Sequence, residues 1–153
     1  MRRIIFATGN EGKMREIREI LADMDVEVIS MKEAGISADI DENGETFEEN
    51  AAIKGEDPPY EIKNQALLDR LAGVPKEQRT ARFVCAIAAA LPDGQMLITR
   101  ETIEGYIGDA PAGANGFGYD PIFYVEESQC STAELSEQQK NETSHRGKAL
   151  RAM

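Results

Sequence analysis

The stretch Arg3-Ile4-Ile5-Phe6-Ala7-Thr8-Gly9-Asn10-Glu11-Gly12-Lys13 decides the fold, together with the residues next along the chain: Met14, Ile17, Ile20, Leu21 and Met24 at helical spacing, then Val26-Glu27-Val28-Ile29-Ser30. A short apolar run, a glycine-bearing turn, an amphipathic helix and a second apolar run read as strand, turn, helix, strand. That order predicts a right-handed crossover and a parallel pair, with the turn at the carboxyl end of the first strand, where such sheets bind ligands. Thr8 to Lys13 offers a hydroxyl, two glycines, an amide side chain and a lysine at the mouth of the helix. Backbone amides, the positive end of the helix dipole and a cation would meet a phosphate together there. The spacing matches neither the common P-loop nor the dinucleotide fingerprint, and a plain turn with a solvated lysine is the simpler account of it.

Working outward, Met31 to Glu45 is polar and acidic, with Asp39, Asp41, Glu42 and Glu45 around Gly44. Thr46 and Glu49 form a capping box for a helix from Phe47 to Lys54, and Asp57-Pro58 reads as cap and first residue of another from Tyr60 to Ala72. Ile62, Leu67, Leu68 and Leu71 supply part of that helix's apolar face. Arg82 to Ile87 and Met96 to Thr99 flank the turn Pro92-Asp93-Gly94 and predict a hairpin, although Ala88 to Ala90 suits a helix equally. Ile122 to Val125 is a further strand, Thr132 with Leu135 suggests a helical turn, and Ser144 caps the last helix. The fold class is α/β with a mixed sheet, in one domain.

Composition narrows the functional classes. With 153 residues, 41% of them hydrophobic and 29% charged, the chain suits a single domain with a real core. No apolar run approaches the roughly 20 residues a membrane span needs, and the run after Met1-Arg2-Arg3 is too short for a signal peptide. A cytoplasmic protein without a membrane partner is the expectation. Cys85 and Cys130 match no metal-ligand spacing, and Cys85 reads as a small buried hydrophobe. A formal charge of −11 argues against a nucleic-acid polymer as partner but leaves room for a small polyanion in a local basic pocket.

Two later stretches carry chemical promise. In Ala114-Asn115-Gly116-Phe117-Gly118-Tyr119-Asp120-Pro121-Ile122-Phe123, the glycines free the backbone on both sides of an aromatic ring, and a carboxylate follows three residues on. Such a ring can stack on a nucleobase while Asp120 accepts from its edge; a tight loop returning Phe117 to the core fits the same residues. Ser144-His145-Arg146-Gly147-Lys148 puts three potential cations in the first turn of a helix, which the macrodipole disfavours unless an anionic ligand, Glu142 or another carboxylate lies close. The acidic cluster around Glu42 becomes a Mg2+ site only in combination with phosphate oxygens.

Taken together these stretches resemble the Ham1-type inosine/xanthosine triphosphate pyrophosphatase family. Residues 7–13, 46–51, 78–83, 116–123 and 144–150 match its pattern in order, across nearly the whole chain. The resemblance implies an elongated mixed sheet with flanking helices, and two lobes around a central nucleotide-binding cleft. It also implies a homodimer that uses Mg2+ to hydrolyse ITP, dITP and XTP to the monophosphate and pyrophosphate. Carried across, Thr8, Asn10 and Lys13, within the turn that also holds Gly9, Glu11 and Gly12, would hold the phosphates, and Glu42 would help bind metal. Lys140 would meet the nucleotide. Phe117 would stack on the base, and Asp120, His145 and Arg146 would read its edge, Gly118 and Tyr119 completing that loop.

One departure stands against these matches. The family pattern has a segment of several dozen residues between the positions of Lys54 and Gly55, with an Asp-Asp-Ser-Gly motif whose aspartate is the general base, and no such motif occurs here. Either the chain lacks that segment and is a silent nucleotide binder, or the segment belongs to the protein but not to this sequence. The intact flanking motifs favour the second reading. Asp57 is a conceivable substitute base, but before Pro58 a helix cap fits it better.

Overall fold

The computed structural model describes residues 2–36 and 59–153. Strand β1 (Arg2–Phe6) leads into helix α1 (Glu11–Ile20) and returns as β2 (Val26–Ser30), and the strands pair in parallel with Ile4 opposite Val28. The predicted crossover unit is present. Asn10 caps α1, its side chain accepting from the Lys13 backbone N–H at 2.9 Å, so Gly12 and Lys13 belong to the first helical turn. Met24, expected on the apolar face of α1, lies beyond the helix and is exposed.

Helix α2 (Tyr60–Arg70) starts at the predicted residue and buries Leu68 and Asn64, while Ile62 points outward. At its carboxyl end the buried Arg79 donates to the carbonyls of Leu71, Val74 and Gly108, and pairs with Asp109 at 2.7 Å. One guanidinium thus ties the helix end to the sheet.

Strands β3 (Thr80–Ala90) and β4 (Met96–Ile107) form a longer hairpin than predicted, antiparallel with Ala90 opposite Met96, and β5 (Phe123–Val125) pairs on the far edge of β4. The alanine run is strand, because register with Met96 to Ile98 satisfies its backbone and lets inward and outward positions alternate. The sheet elements are therefore both parallel and antiparallel, as two separate ladders among the described residues. Thr132 with Leu135, expected as a short helical turn, follows the bridge from Ser131 to Tyr124 as a turn closed by the Glu134 N–H donating to the Ser131 carbonyl at 3.0 Å, and the chain then enters α3 (Glu137–Thr143). Ser144 ends α3 and caps α4 (His145–Arg151), its hydroxyl accepting from the Gly147 backbone N–H at 3.1 Å.

The core brings both ends of the chain together. Ile17 of α1 and Leu21 just past its end pack with Leu150 of α4, against Phe6, Val26, Val28 and Ile87 from three strands. A second cluster joins Ile103, Phe123 and Val125 with Phe83 and Ile107. No helix among the described residues is long and apolar enough to cross a membrane.

Candidate functional site

Packing α1 against α4 sets the turn before α1 beside the first turn of α4, and the Gly116–Asp120 loop lies against both. A methyl group on Gly12 would sit 2.8 Å from Cδ1 of Phe117, so this glycine permits the close approach of helix and ring. The Arg146 guanidinium lies 5.1 Å from the centre of the same ring and the Lys140 ammonium 5.4 Å. Phe117 is neither a core residue nor free in solvent: it is half-buried, with two cations within reach of its π-system.

Beneath the ring lies a buried network of four charged side chains. Lys140 pairs with Asp120 Oδ2 at 2.6 Å and faces Glu16 Oε1 at 2.7 Å, the latter an ion pair whose angle departs from hydrogen-bond geometry. Arg146 Nε donates to Glu16 Oε2. Burial opposes the charge on Glu16, yet the Arg146 hydrogen bond and charge, and then the neighbouring Lys140 ammonium, hold its carboxyl below the usual range. Two cations meet two carboxylates, which makes so much buried charge tolerable.

Asp120 is committed within this network. Its Oδ2 also accepts from the Phe117 backbone N–H at 2.8 Å, and its Oδ1 from Thr132 Oγ1 at 2.9 Å. Expected at the edge of a base, Asp120 here braces the loop, at 3% exposure. Lys140, expected to meet the nucleotide, is buried between its two carboxylates.

His145 is neutral in this setting. Burial, then the neighbouring Arg146 charge, lower its pKa from 6.5 to about 3. Its ring stacks on Phe83 at 5.1 Å, and its Nε2 stands 3.1 Å from Arg146 Nη1. A guanidinium only donates, so Nε2 accepts and Nδ1 carries the proton. That Nδ1 is buried with no partner among the described residues. Arg146 spends Nε on Glu16 and Nη1 on His145, and keeps Nη2 as a remaining donor. The carboxylate that resolves the crowding of cations at the start of α4 is thus Glu16, not Glu142.

The turn before α1 is open by contrast. Thr8 Oγ1 accepts from the Asn10 backbone N–H at 3.2 Å, and the N–H groups of Gly9, Glu11 and Gly12 have no acceptor among the described residues. Lys13 is exposed, and its charge is felt at His145. Gly118 and Tyr119 lie in the loop beyond Phe117, Tyr119 meeting Tyr60 of α2 edge to face. Glu42, Asp57 and the Lys54–Gly55 junction lie outside the described residues. Among the described residues no group of three acidic, histidine or cysteine side chains could hold a metal ion, and Glu16 and Asp120 are taken by Lys140 and Arg146.

Sequence reasoning missed Glu16 and α3. The α3 signal was present, since Ser136 and Gln139 make a capping box, which the structure forms reciprocally. Glu16 gave no such sign. It reads as one of several charges on an amphipathic helix until a guanidinium 130 residues away is placed beside it.

Comparison with known proteins gives the family of the chain. The Ham1 family model matches residues 4–58 and 55–153, the two matches meeting near Gly55. The dITP/XTP pyrophosphatase of Bacillus subtilis is 36% identical over 189 residues, covering 100% of this chain and 96% of the relative. That of Caldanaerobacter subterraneus is 40% identical over 187 residues, covering 98% and 93%. Since the chain has 153 residues, several dozen positions in these alignments have no counterpart in it. Among solved structures, a HAM1 protein from Coxiella burnetii superposes with a TM-score of 0.76 at 33% identity, over 99% of this chain and 96% of that one. The Staphylococcus aureus Ham1 protein gives 0.74 at 32% identity, over 99% and 95%. With the turn before α1, the Phe117 loop and the start of α4 gathered around one ring, and relatives of this identity along the chain, the protein belongs to the Ham1 family.

Proposed function

We propose that this protein hydrolyses noncanonical purine nucleoside triphosphates, ITP, dITP and XTP, to the monophosphate and pyrophosphate. The observation that carries the reading is the convergence of a donor-rich turn, an aromatic ring and an incompletely used guanidinium on one place, in a chain whose relatives are dITP/XTP pyrophosphatases. The turn Thr8–Lys13 receives the triphosphate with outward amides and Lys13. Phe117 stacks on the base. Arg146 Nη2 and the protonated Nδ1 of His145 are the donors for a 6-keto oxygen, and the amino group of adenine would face them unmatched. Lys140, Glu16 and Asp120 hold that arrangement together. The chain acts as one domain, as a cytoplasmic homodimer, and requires Mg2+, with Glu42 as a ligand from outside the described residues.

The second reading is a silent nucleotide binder of the same fold. It is favoured by the absence of any Asp-Asp-Ser-Gly motif, and by alignments that leave several dozen positions of the relatives without counterpart. One experiment separates the two: incubation with ITP and Mg2+, with and without chelator, following both nucleotide binding and pyrophosphate release. Release that stops on chelation supports the hydrolase. Binding of ITP without release establishes the silent binder, and hydrolysis of ATP as fast as ITP overturns the base-reading roles.

A further inference from the structure

Helix α2 buries an asparagine that the site as described does not use. Asn64 is 5% exposed and its Nδ2 donates to the Gly118 carbonyl at 3.1 Å, while its Oδ1 has no partner among the described residues. Burying an amide for a single bond is costly where leucine would fill the same space, so the bond itself calls for a role. Gly118 follows Phe117 and has φ +69°, and Gly116 before it has φ +79°. With glycine on each side, the local chain does little to fix the ring. Two hydrogen bonds fix it: Asp120 of the same loop, itself held by Lys140 and Thr132, accepts from the Phe117 N–H on one flank, and Asn64 of α2 donates to the Gly118 carbonyl on the other. Tyr60, one turn before Asn64, adds an edge-to-face contact to Tyr119 at 5.5 Å.

We propose that Asn64 is a positioning residue that holds the Phe117 ring in its stacking pose through the Gly118 carbonyl, making α2 the outer clamp of the base loop. The inference rests on the reading that Phe117 stacks on the base. It predicts a selective effect: losing the donor weakens the hold on a base and leaves the phosphate turn untouched, because Asn64 bonds to the loop alone.

The test compares calorimetric affinities of the whole chain for ITP and for inorganic tripolyphosphate, which has no base. Asn64→Leu keeps the branched heavy-atom skeleton and removes the donor; it is expected to weaken ITP about three- to ten-fold and leave tripolyphosphate unchanged. Tyr60→Ala, at an exposed position, is expected to act in the same direction by a smaller factor and decides the matter if Asn64→Leu does not fold. Equal weakening of both ligands, or of neither, overturns the proposal while the base-stacking reading stands. A wild-type protein that binds ITP no more tightly than tripolyphosphate overturns both.

Discussion

At Thr8–Lys13 the N–H groups of Gly9, Glu11 and Gly12 have no acceptor among the described residues and the lysine is exposed, whereas at Gly116–Asp120 the Phe117 N–H, the Gly118 carbonyl and the Asp120 carboxylate are engaged, by Asp120 itself, by Asn64 of α2 and by Lys140 of α3. The first region holds its shape through contacts within six residues, the second through partners up to 54 positions away. The difference teaches how a cleft can be stiff at one end and receptive at the other. Groups kept for a ligand must lack partners within the chain, and the groups that aim them must not.

Replacing Lys140 by methionine is the hardest blow to the engaged region. It leaves Glu16 and Asp120 buried with one cation fewer, and chemical denaturation is expected to show a loss of about 3–5 kcal/mol. A loss under about 1 kcal/mol would mean that the network is not the brace described. Lys13→Ala should invert the pattern: stability within about 0.5 kcal/mol of wild type, but tripolyphosphate affinity lower by about 1.5–3 kcal/mol, measured by calorimetry.

The engaged region should also carry a pH signature. The folded-state pKa of His145 is near 3 against an ordinary 6.5, so the unfolded chain takes up its proton first as pH falls, and stability declines from about pH 6.5 toward 3. Between about pH 7 and 5 the expected loss is about 2 kcal/mol, and His145→Gln should flatten it in denaturation curves. The lowered pKa of Glu16 adds its own loss only at lower pH, within and below the ordinary carboxylate range.

The smallest effect is expected where the two regions touch. Gly12→Ala would press a methyl group against the Phe117 ring and should weaken ITP by about 1 kcal/mol while sparing tripolyphosphate. Because alanine also favours the helix, affinity rather than stability is the measurement that reads this contact.

Much of this architecture was legible without coordinates. The parallel pair, the start of α2 and the cap of α4 rest on periodicity and on side chains within a few residues of the backbone they satisfy. The alanine run was not legible, because alanine does not distinguish strand from helix until Met96 to Ile98 supply its partners. Spacing alone points Ile62 and Met24 inward, and each is exposed because no neighbouring element among the described residues covers it.

The sequence by itself determined the α/β character, the donor-rich turn, the glycine-flanked ring and the cations at the start of α4, since each depends on neighbours along the chain. Only the tertiary structure decided that Asp120 and Lys140 brace the loop, that Glu16 is the carboxylate opposite Arg146, and that His145 is neutral. Those facts depend on burial and on distances between residues as many as 130 positions apart, and electrostatic strength follows separation in space rather than separation in sequence.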